Sequence, residues 1–168
     1  IAAQEANVGK LLAQPEPKIQ AGIQKVGSAL NRNKIEARQF ALDVLDATED
    51  KQEIVKQLAV FAAGPDEHQP LMALAVLQIL DLPPGIIIEA LAPYLNVDDI
   101  KVRSFVRDWF QGHDNMNPGE NKLVPINFED YADYVRKKGP ENVPAAFVQY
   151  LYERSPNRAF LVLVNAEP

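Results

Sequence analysis

Two stretches that match without a gap decide the fold: LNRNKIEARQFALD at residues 30–43 and LNVDDIKVRSFVRD at residues 95–108. Leu, Asn, Ile, Arg, Phe and Asp coincide in them at an offset of 65 residues, which is about two periods of 32 to 33. A third copy is expected at the midpoint, where Ala63-Gly64 replaces Leu-Asn, a helix follows from Asp66 and Leu71 stands near the place of the Arg. Self-similarity at this period predicts an array of repeated units.

Apolar residues recur at helical spacing along nearly the whole chain, and the period-two alternation of strands is missing. Val102, Phe105, Val106 and Trp109 are one such stripe, and Thr48 is expected to cap the helix that follows it. The fold class is therefore predicted to be all-α. The predicted helices lie near residues 4–14, 18–30, 34–46, 49–63, 66–81, 84–95, 98–111, 128–138, 142–154 and 156–164.

These helices pair into units of helix, tight turn and helix within a single domain that spans residues 1–168. One hairpin cannot bury its apolar stripe alone, so stacked neighbours must complete the core. The last helix is too apolar to stand exposed, so it should pack back on the array or face a segment outside this sequence. The units are expected at about 18–46, 49–81 and 84–111, with a long loop at 111–127 and a degenerate unit or helical cap at 128–168.

The unit resembles the HEAT repeat in its short bacterial form. The residues that carry this resemblance are Leu91-Ala92-Pro93-Tyr94-Leu95-Asn96, then Asp98 and Asp99, then Val102-Arg103. The resemblance implies an armadillo-like fold, a right-handed α-α superhelix built as a short solenoid of HEAT-like hairpins. It further implies a buried or half-buried ladder between stacked units that includes Asp98, Asp99 and Arg103, with Arg38 as the counterpart of Arg103 in the first unit.

The polar face of the 98–111 helix, opposite its apolar stripe, is the candidate partner-binding surface. In the family that this chain resembles, second helices line a concave side on which partners dock, so polar residues of the first unit would share the surface. It would be acidic at one end and basic at the other, which suits a charge-complementary partner; the alternative is a solvated helix face. The candidate residues are Lys101, Ser104, Arg107, Asp108 and Gln111, joined by Glu36, Gln39 and Asp43.

Charge and composition exclude several classes of function. A net charge of −6 argues against binding nucleic acid through its phosphates, and no apolar run reaches the ~20 residues of a membrane span. The absence of cysteine excludes disulfides and thiolate zinc sites and leaves the compartment open. The start Ile1-Ala2-Ala3, without Met, fits either a fragment or a chain from which a signal peptide has been removed.

No set of residues forms a coherent catalytic or metal site. His113-Asp114 has only His68 as a second histidine, and the paired carboxylates stand at predicted helix starts, where the helix dipole favours negative charge. Trp109 is expected in the core, and Tyr134 partly outside it. We therefore expect no catalytic residue, no metal and no cofactor.

The sequence thus predicts a non-catalytic scaffold that binds a protein partner. Two alternatives stay open: an accessory or regulatory domain of a larger enzyme whose chemistry lies elsewhere, and a helical-repeat nucleic-acid binder, which the negative charge disfavours. Neither the identity of the partner nor the oligomeric state follows from the sequence.

Overall fold

The computed structural model describes residues 12–115 and 128–165, and within these two ranges it contains helices and no strand. The prediction of an all-α fold is confirmed. Two short 3₁₀ helices, Ala92–Tyr94 and Pro140–Asn142, accompany the α-helices. The α-helices are α1 (Pro17–Leu30), α2 (Lys34–Ala47), α3 (Lys51–Ala62), α4 (Gln69–Leu80), α5 (Pro84–Leu91), α6 (Ile100–Asn115), α7 (Phe128–Lys138), α8 (Ala145–Arg154) and α9 (Pro156–Asn165).

The helices pack in two rows. In the first row, α1 packs on α3, α3 on α5 and α5 on α7; in the second row, α2 packs on α4 and α4 on α6. The rows also pack against each other, because α1 contacts α2 and α4 while α3 contacts α4 and α6. At the C-terminal end, α9 packs against both α7 and α8. Each helix of the first three hairpins therefore has neighbours that cover its apolar stripe.

Side-chain caps explain where several of these helices begin. The Asn33 side-chain oxygen accepts hydrogen bonds from the backbone N–H groups of Ile35 and Glu36 at 3.0 and 3.3 Å, at the start of α2. The Asp99 carboxylate accepts from Lys101 and Val102 at 2.9 and 3.1 Å, at the start of α6. Such bonds satisfy N–H groups that have no partner within the helix.

Two predictions about helix starts are wrong. The cap of α3 is Asp50, whose carboxylate accepts from the Gln52 N–H at 3.0 Å, whereas Thr48 ends α2. The helix expected from Asp66 begins only at Gln69. Pro70 explains this delay, because a proline inside a helix lacks the N–H and clashes with the carbonyl four residues earlier.

Prolines also move other helix boundaries. Residues 12–16 are not helical, since Pro15 and Pro17 disfavour the α conformation of the residues before them, and the remainder of the helix expected at 4–14 lies outside the described residues. Pro93 confines α5 to Pro84–Leu91, with a 3₁₀ turn after it, and Pro144 delays α8 to Ala145. The predicted loop at 111–127 starts too early, because α6 continues to Asn115; residues 116–127 lie outside the described ranges.

The core runs without interruption through both rows and into the C-terminal helices. Its one fully buried polar side chain among the described residues is Gln57 of α3. The Gln57 amide donates to the Gln14 carbonyl at 2.7 Å and accepts from the Glu16 N–H at 3.0 Å and from the Gln20 amide at 2.7 Å. These bonds satisfy a buried amide and fasten the segment before α1 to the first row.

Candidate interaction surface

The exposed large apolar side chains are distributed unevenly over the fold. Within the second row they occur on all three helices, and further ones lie on α8 and α9, whereas no described side chain of the first row is among them. Single exposed apolar residues are ordinary, but among the helices of the two rows the exposed ones occur only in the second, which makes that row a candidate interaction surface. The residues are Ile35, Leu42, Leu71, Ile100, Tyr152, Phe160, Leu161 and Val164.

Ile35, Leu71 and Ile100 are 81%, 63% and 71% exposed and occupy equivalent places on α2, α4 and α6. Each stands two residues before the start of the inward-facing stripe of its helix, and two helical residues point about 200° apart. The three side chains therefore face away from the core in the same way. The stripes begin with Ala37, Phe40 and Ala41 in α2, with Ala73, Val76 and Leu77 in α4, and with Val102, Phe105 and Val106 in α6.

The first turns of these three helices also lie along one edge of the molecule. The Lys101 ammonium of α6 donates to the Gly64 carbonyl, in the turn before α4, at 2.6 Å. A pocket of about 240 Å³ joins the end of α1, at Leu30, to the start of α4, at Leu71 and Met72. We name the turns 31–33, 64–68 and 96–99, together with the first turn of the helix after each, the turn edge.

Charges are unequal along the turn edge. Near α2 it carries Arg32, which pairs with Glu36 at 3.9 Å, and Lys34. The turn before α4 carries Asp66 and Glu67, and the turn before α6 carries Asp98 and Asp99. All of these except Glu36 and Asp99 are exposed. Only the turn before α4 is therefore acidic, because Lys101 and Arg103 in the first turn of α6 stand beside Asp98 and Asp99, and the edge near α2 is basic.

Of the candidate binding residues on α6, two are engaged inside the fold. Lys101 and Arg107 are half-buried; Lys101 holds the Gly64 carbonyl, and the Arg107 guanidinium donates to the Asn96 side-chain oxygen at 2.8 Å. Asn96 in turn donates to Gln149 of α8 at 3.1 Å. Lys101 therefore links its hairpin to the preceding one, whereas Arg107 binds the turn of its own hairpin. The remaining three candidates on this helix are exposed: Ser104, Asp108 and Gln111.

The candidates on α2 lie at its surface. Gln39 and Asp43 are exposed, and the Gln39 amide donates to the Asp43 carboxylate at 3.2 Å, one turn along the helix. Glu36 is half-buried beside Arg32. Because α4 lies between α2 and α6, the polar groups of α2 and α6 flank a central helix whose half-exposed side chains are mostly apolar, including Leu74 and Ala75.

Of the four residues expected to form a ladder, two make other contacts and two are exposed. Asp99 caps α6, Asp98 is exposed, and the Arg103 guanidinium donates to the Val97 carbonyl of its own hairpin at 3.3 Å. Arg38 is exposed on α2. Among the described contacts, no bond joins these aspartates to either arginine. Asp99 and Arg103 instead shape the start of α6.

The aromatic residues near the C-terminus form a packed cluster. The rings of Phe110 and Tyr131 are stacked with centroids 6.1 Å apart, and Phe147 meets Tyr131 and Tyr134 edge-on at 5.6 and 5.0 Å. Tyr134 is buried, so the expectation that it lies partly outside the core is wrong. Trp109 is half-buried with its ring edge-on to Phe110 at 5.0 Å. Helices α6, α7 and α8 supply these rings, and their convergence buries Tyr134.

Burial shifts the titration of two tyrosines. Burial, with a smaller contribution from the Glu89 carboxylate, raises the pKa of Tyr134 to about 12. Burial and then Glu53 raise the pKa of Tyr94. Both shifts stabilise the neutral phenol, so neither tyrosine is activated as a base or nucleophile. Tyr134 lies beside a cleft of about 350 Å³ whose acidic groups are Glu89, Asp130 and Asp133.

Two kinds of feature are absent from the described residues. No group of three or more His, Asp or Glu side chains is placed there to hold a metal ion. Helices long and apolar enough to cross a bilayer are likewise absent from the described ranges. Of the dipeptide His113-Asp114, only the backbone is described, in the last turn of α6.

The last helix, α9, is only partly covered. Ala159 and Val162 are buried, whereas Phe160, Leu161 and Val164 are exposed. One face of this helix therefore packs back on the fold as expected, and the other face is exposed.

Sequence reasoning missed the three apolar residues of the turn edge. A signal for two of them was present, because Ile35 and Ile100 coincide in the two matching stretches although both stand off the apolar stripe. The repeat alignment places Leu71 near the position of Arg38, three residues away from its structural equivalent, Ile35. The cause is the longer turn before α4, in which the Gln69 side chain bonds the Phe61 carbonyl and the Asp66 N–H at 2.8 Å each.

Comparisons with known proteins add nothing to this picture. No family model matches the chain, and no curated protein or solved structure was found to be similar to it.

Proposed function

We propose that this protein is a non-catalytic interaction scaffold, in which HEAT-like hairpins stack as a short solenoid and a protein partner docks on the second row. The packing order supports the solenoid, since first helices contact first helices and second helices contact second helices. The observation that carries the docking surface is the uneven distribution of exposed apolar side chains, present on α2, α4 and α6 and missing from the described side chains of the first row.

A protein partner suits this surface better than a nucleic acid. The net charge is −6, and the two cationic residues among the candidates, Lys101 and Arg107, already form hydrogen bonds within the fold. Apolar side chains contribute to protein interfaces through their removal from water, whereas nucleic-acid binding needs cations that neutralise phosphates. The exposed polar residues around the apolar ones, among them Gln39, Asp43 and Ser104, would form the rim of such an interface.

A second candidate is the accessory domain of a larger enzyme. The exposed apolar face of α9, formed by Phe160, Leu161 and Val164, favours it, because such a face is suited to packing against another domain. In that case the second row would remain free, and the contact would be lost on substituting the α9 residues.

The test is affinity capture from lysate of the source organism, read by quantitative mass spectrometry. The bait is compared with a second-row variant, Ile35→Asp, Leu71→Asp and Ile100→Asp, and with an α9 variant, Phe160→Asp and Leu161→Asp. A matched control carries Gln24→Asp and Ser28→Asp, two exposed first-row positions.

The proposal expects a specific partner that is lost with the second-row variant and retained with the other two. Loss with the α9 variant alone would favour the accessory domain. Equal capture by all four baits would contradict the second-row surface. Because all substituted side chains are exposed, circular dichroism should show the same helix content in every bait.

A further inference from the structure

A cleft in the first row is lined by a buried tyrosine whose hydroxyl has no partner. The cleft encloses about 350 Å³ between α5 and α7, beside Gln52 of α3. Tyr134 lines it and is only 5% exposed, with its ring edge-on to Phe147 at 5.0 Å. Among the contacts of the described residues, the Tyr134 hydroxyl forms no hydrogen bond. A buried polar group without a hydrogen bond is uncommon in folded proteins and calls for an explanation.

The Tyr134 hydroxyl lies near a carboxylate of the same cleft. Burial raises the pKa of Tyr134, and the Glu89 carboxylate raises it further. This electrostatic effect places the phenol close to Glu89, and both residues line the cleft. The cleft therefore holds two oxygen-bearing groups side by side, and the described contacts include no hydrogen bond between them.

Glu89 itself is only loosely paired. Its carboxylate lies 3.9 Å from the Lys137 ammonium, which is longer than a hydrogen bond. The Glu89 side chain is 26% exposed, whereas that of Lys137 is 81% exposed. An ion pair with so exposed a lysine contributes little free energy, so Lys137 can be displaced from Glu89 by a better donor.

The charge of the cleft favours a cation as that donor. Three carboxylates line the cleft, those of Glu89, Asp130 and Asp133, against the single ammonium of Lys137. Arg136 lies beside Lys137 on α7 and donates to Asp133 at 2.7 Å, and with this second cation included the carboxylates still outnumber the cations. An excess of negative charge in a cleft attracts cations and repels anions.

The arrangement of the oxygen atoms suits an ammonium group better than a metal ion. No three acidic or histidine side chains of the described residues are placed to hold a metal. A primary ammonium has three donors and no acceptor, and the cleft offers three acceptors: the Glu89 carboxylate, the Tyr134 phenol oxygen and the side-chain oxygen of Gln52. An alkyl chain on the ammonium would have an apolar wall to contact, formed by Pro83, Pro84 and Ile86.

We propose that the cleft between α5 and α7 binds a primary ammonium group on a short alkyl chain, with the Glu89 carboxylate and the Tyr134 hydroxyl as its main partners. The bound ammonium takes the place of Lys137 beside Glu89. Free alkylamines and the lysine side chains of polypeptides share this chemistry. The cleft belongs to the first row, so this site is independent of the docking surface proposed for the second row.

The experiment is a nuclear magnetic resonance titration of the full, ¹⁵N-labelled chain at neutral pH. The two probes are n-butylammonium, for a free amine, and Nα-acetyl-lysine methylamide, for a lysine side chain. Two controls keep the butyl chain: butyltrimethylammonium, which has the charge without N–H donors, and n-butanol, which has no charge. Binding is followed through the amide signals of Gly85, Ile86 and Tyr134, which lie at the cleft.

One or both ammonium probes should bind at millimolar concentration and at least about fivefold more tightly than either control, because charge-assisted hydrogen bonds are the strong ones. Glu89→Gln should weaken binding about tenfold or more, and Tyr134→Phe about three- to tenfold. Lys137→Gln should strengthen binding, because it removes the competing cation. Glu49→Gln, at an exposed position before α3, is the matched control and should leave binding within about twofold.

The comparison of the two probes identifies the source of the ammonium. Tighter binding of the lysine derivative assigns the cleft to a lysine side chain, and tighter binding of n-butylammonium assigns it to a free amine; the site stands in both cases. Three results would overturn it: no shift of the three amide signals up to about 50 mM of either probe, equal binding of butyltrimethylammonium, or binding that is unchanged in both Glu89→Gln and Tyr134→Phe. Circular dichroism should show the same helix content in every variant, since each substitution keeps the size of its side chain.

Discussion

The two rows of helices differ in what they do with apolar residues. None of the large apolar side chains described in the first row (α1, α3, α5 and α7) is exposed. In the second row, four are exposed. Both rows bury apolar stripes in the common core, so the difference does not come from a shortage of packing partners. The four exposed apolar residues of the second row lie outside this core, and their exposure is the basis on which we propose a binding role for them.

The largest expected difference between the rows is in stability. Leu58→Ala in α3 removes a fully buried side chain, while Leu71→Ala in α4 removes an exposed one. The first should lower the free energy of unfolding by about 2–5 kcal/mol, and the second by no more than about 0.5 kcal/mol. Urea unfolding followed by circular dichroism measures both. Similar losses for the two variants would mean that Leu71 belongs to the core and would remove the basis of the comparison.

A buried tyrosine of the first row should make stability depend on alkaline pH. The pKa of Tyr134 is raised to about 12, and an unfolded tyrosine titrates near 10. A raised folded pKa gives stability that is complete below about pH 10 and is lost as the pH rises toward 12.

Tyr134→Phe should therefore flatten the decline in unfolding free energy between pH 10 and 12, by roughly 1–3 kcal/mol at the upper end. Tyr152→Phe, at an exposed position on α8, is the control and should leave the profile unchanged. Profiles that flatten equally in both variants would show that burial of Tyr134 is not the cause.

The smallest effect concerns the turn edge, where neighbouring aspartates have different roles. Asp99 caps α6 through the N–H groups of Lys101 and Val102, while Asp98 is exposed and makes no cap bond. Asp99→Ala should cost about 1 kcal/mol of unfolding free energy, and Asp98→Ala should change it by less than about 0.5 kcal/mol. Thermal unfolding of both variants decides this. A larger loss for Asp98→Ala would mean that the start of α6 is misassigned.

The sequence predicts the helices well wherever local chemistry decides them. Helix α2 starts after Asn33 and α7 runs from Phe128 to Lys138, as the stripe and the terminal charges indicate. Prediction fails at α4 because Pro70 and the Gln69 side chain lengthen the preceding turn, a combination that the repeat period does not reveal. A three-residue shift in one turn is enough to misalign the middle repeat.

The candidate surface is harder to predict than the fold, for a physical reason. Lys101 and Arg107 look available on a helical wheel, yet each reaches a carbonyl or amide oxygen outside its own helix. Whether a long cation is free depends on tertiary neighbours that helical periodicity does not contain. The exposure of Leu71 likewise follows from how α4 sits between α2 and α6.

Site-specific photo-crosslinking in the source organism tests the second-row docking surface directly. A benzophenone amino acid is placed at Leu71 on the second row in one variant and at Gln24 on the first row in another; both positions are exposed. We expect a discrete covalent adduct with a partner protein from position 71 and none from position 24. Adducts from position 24 alone, or equally from both, would contradict a docking surface on the second row.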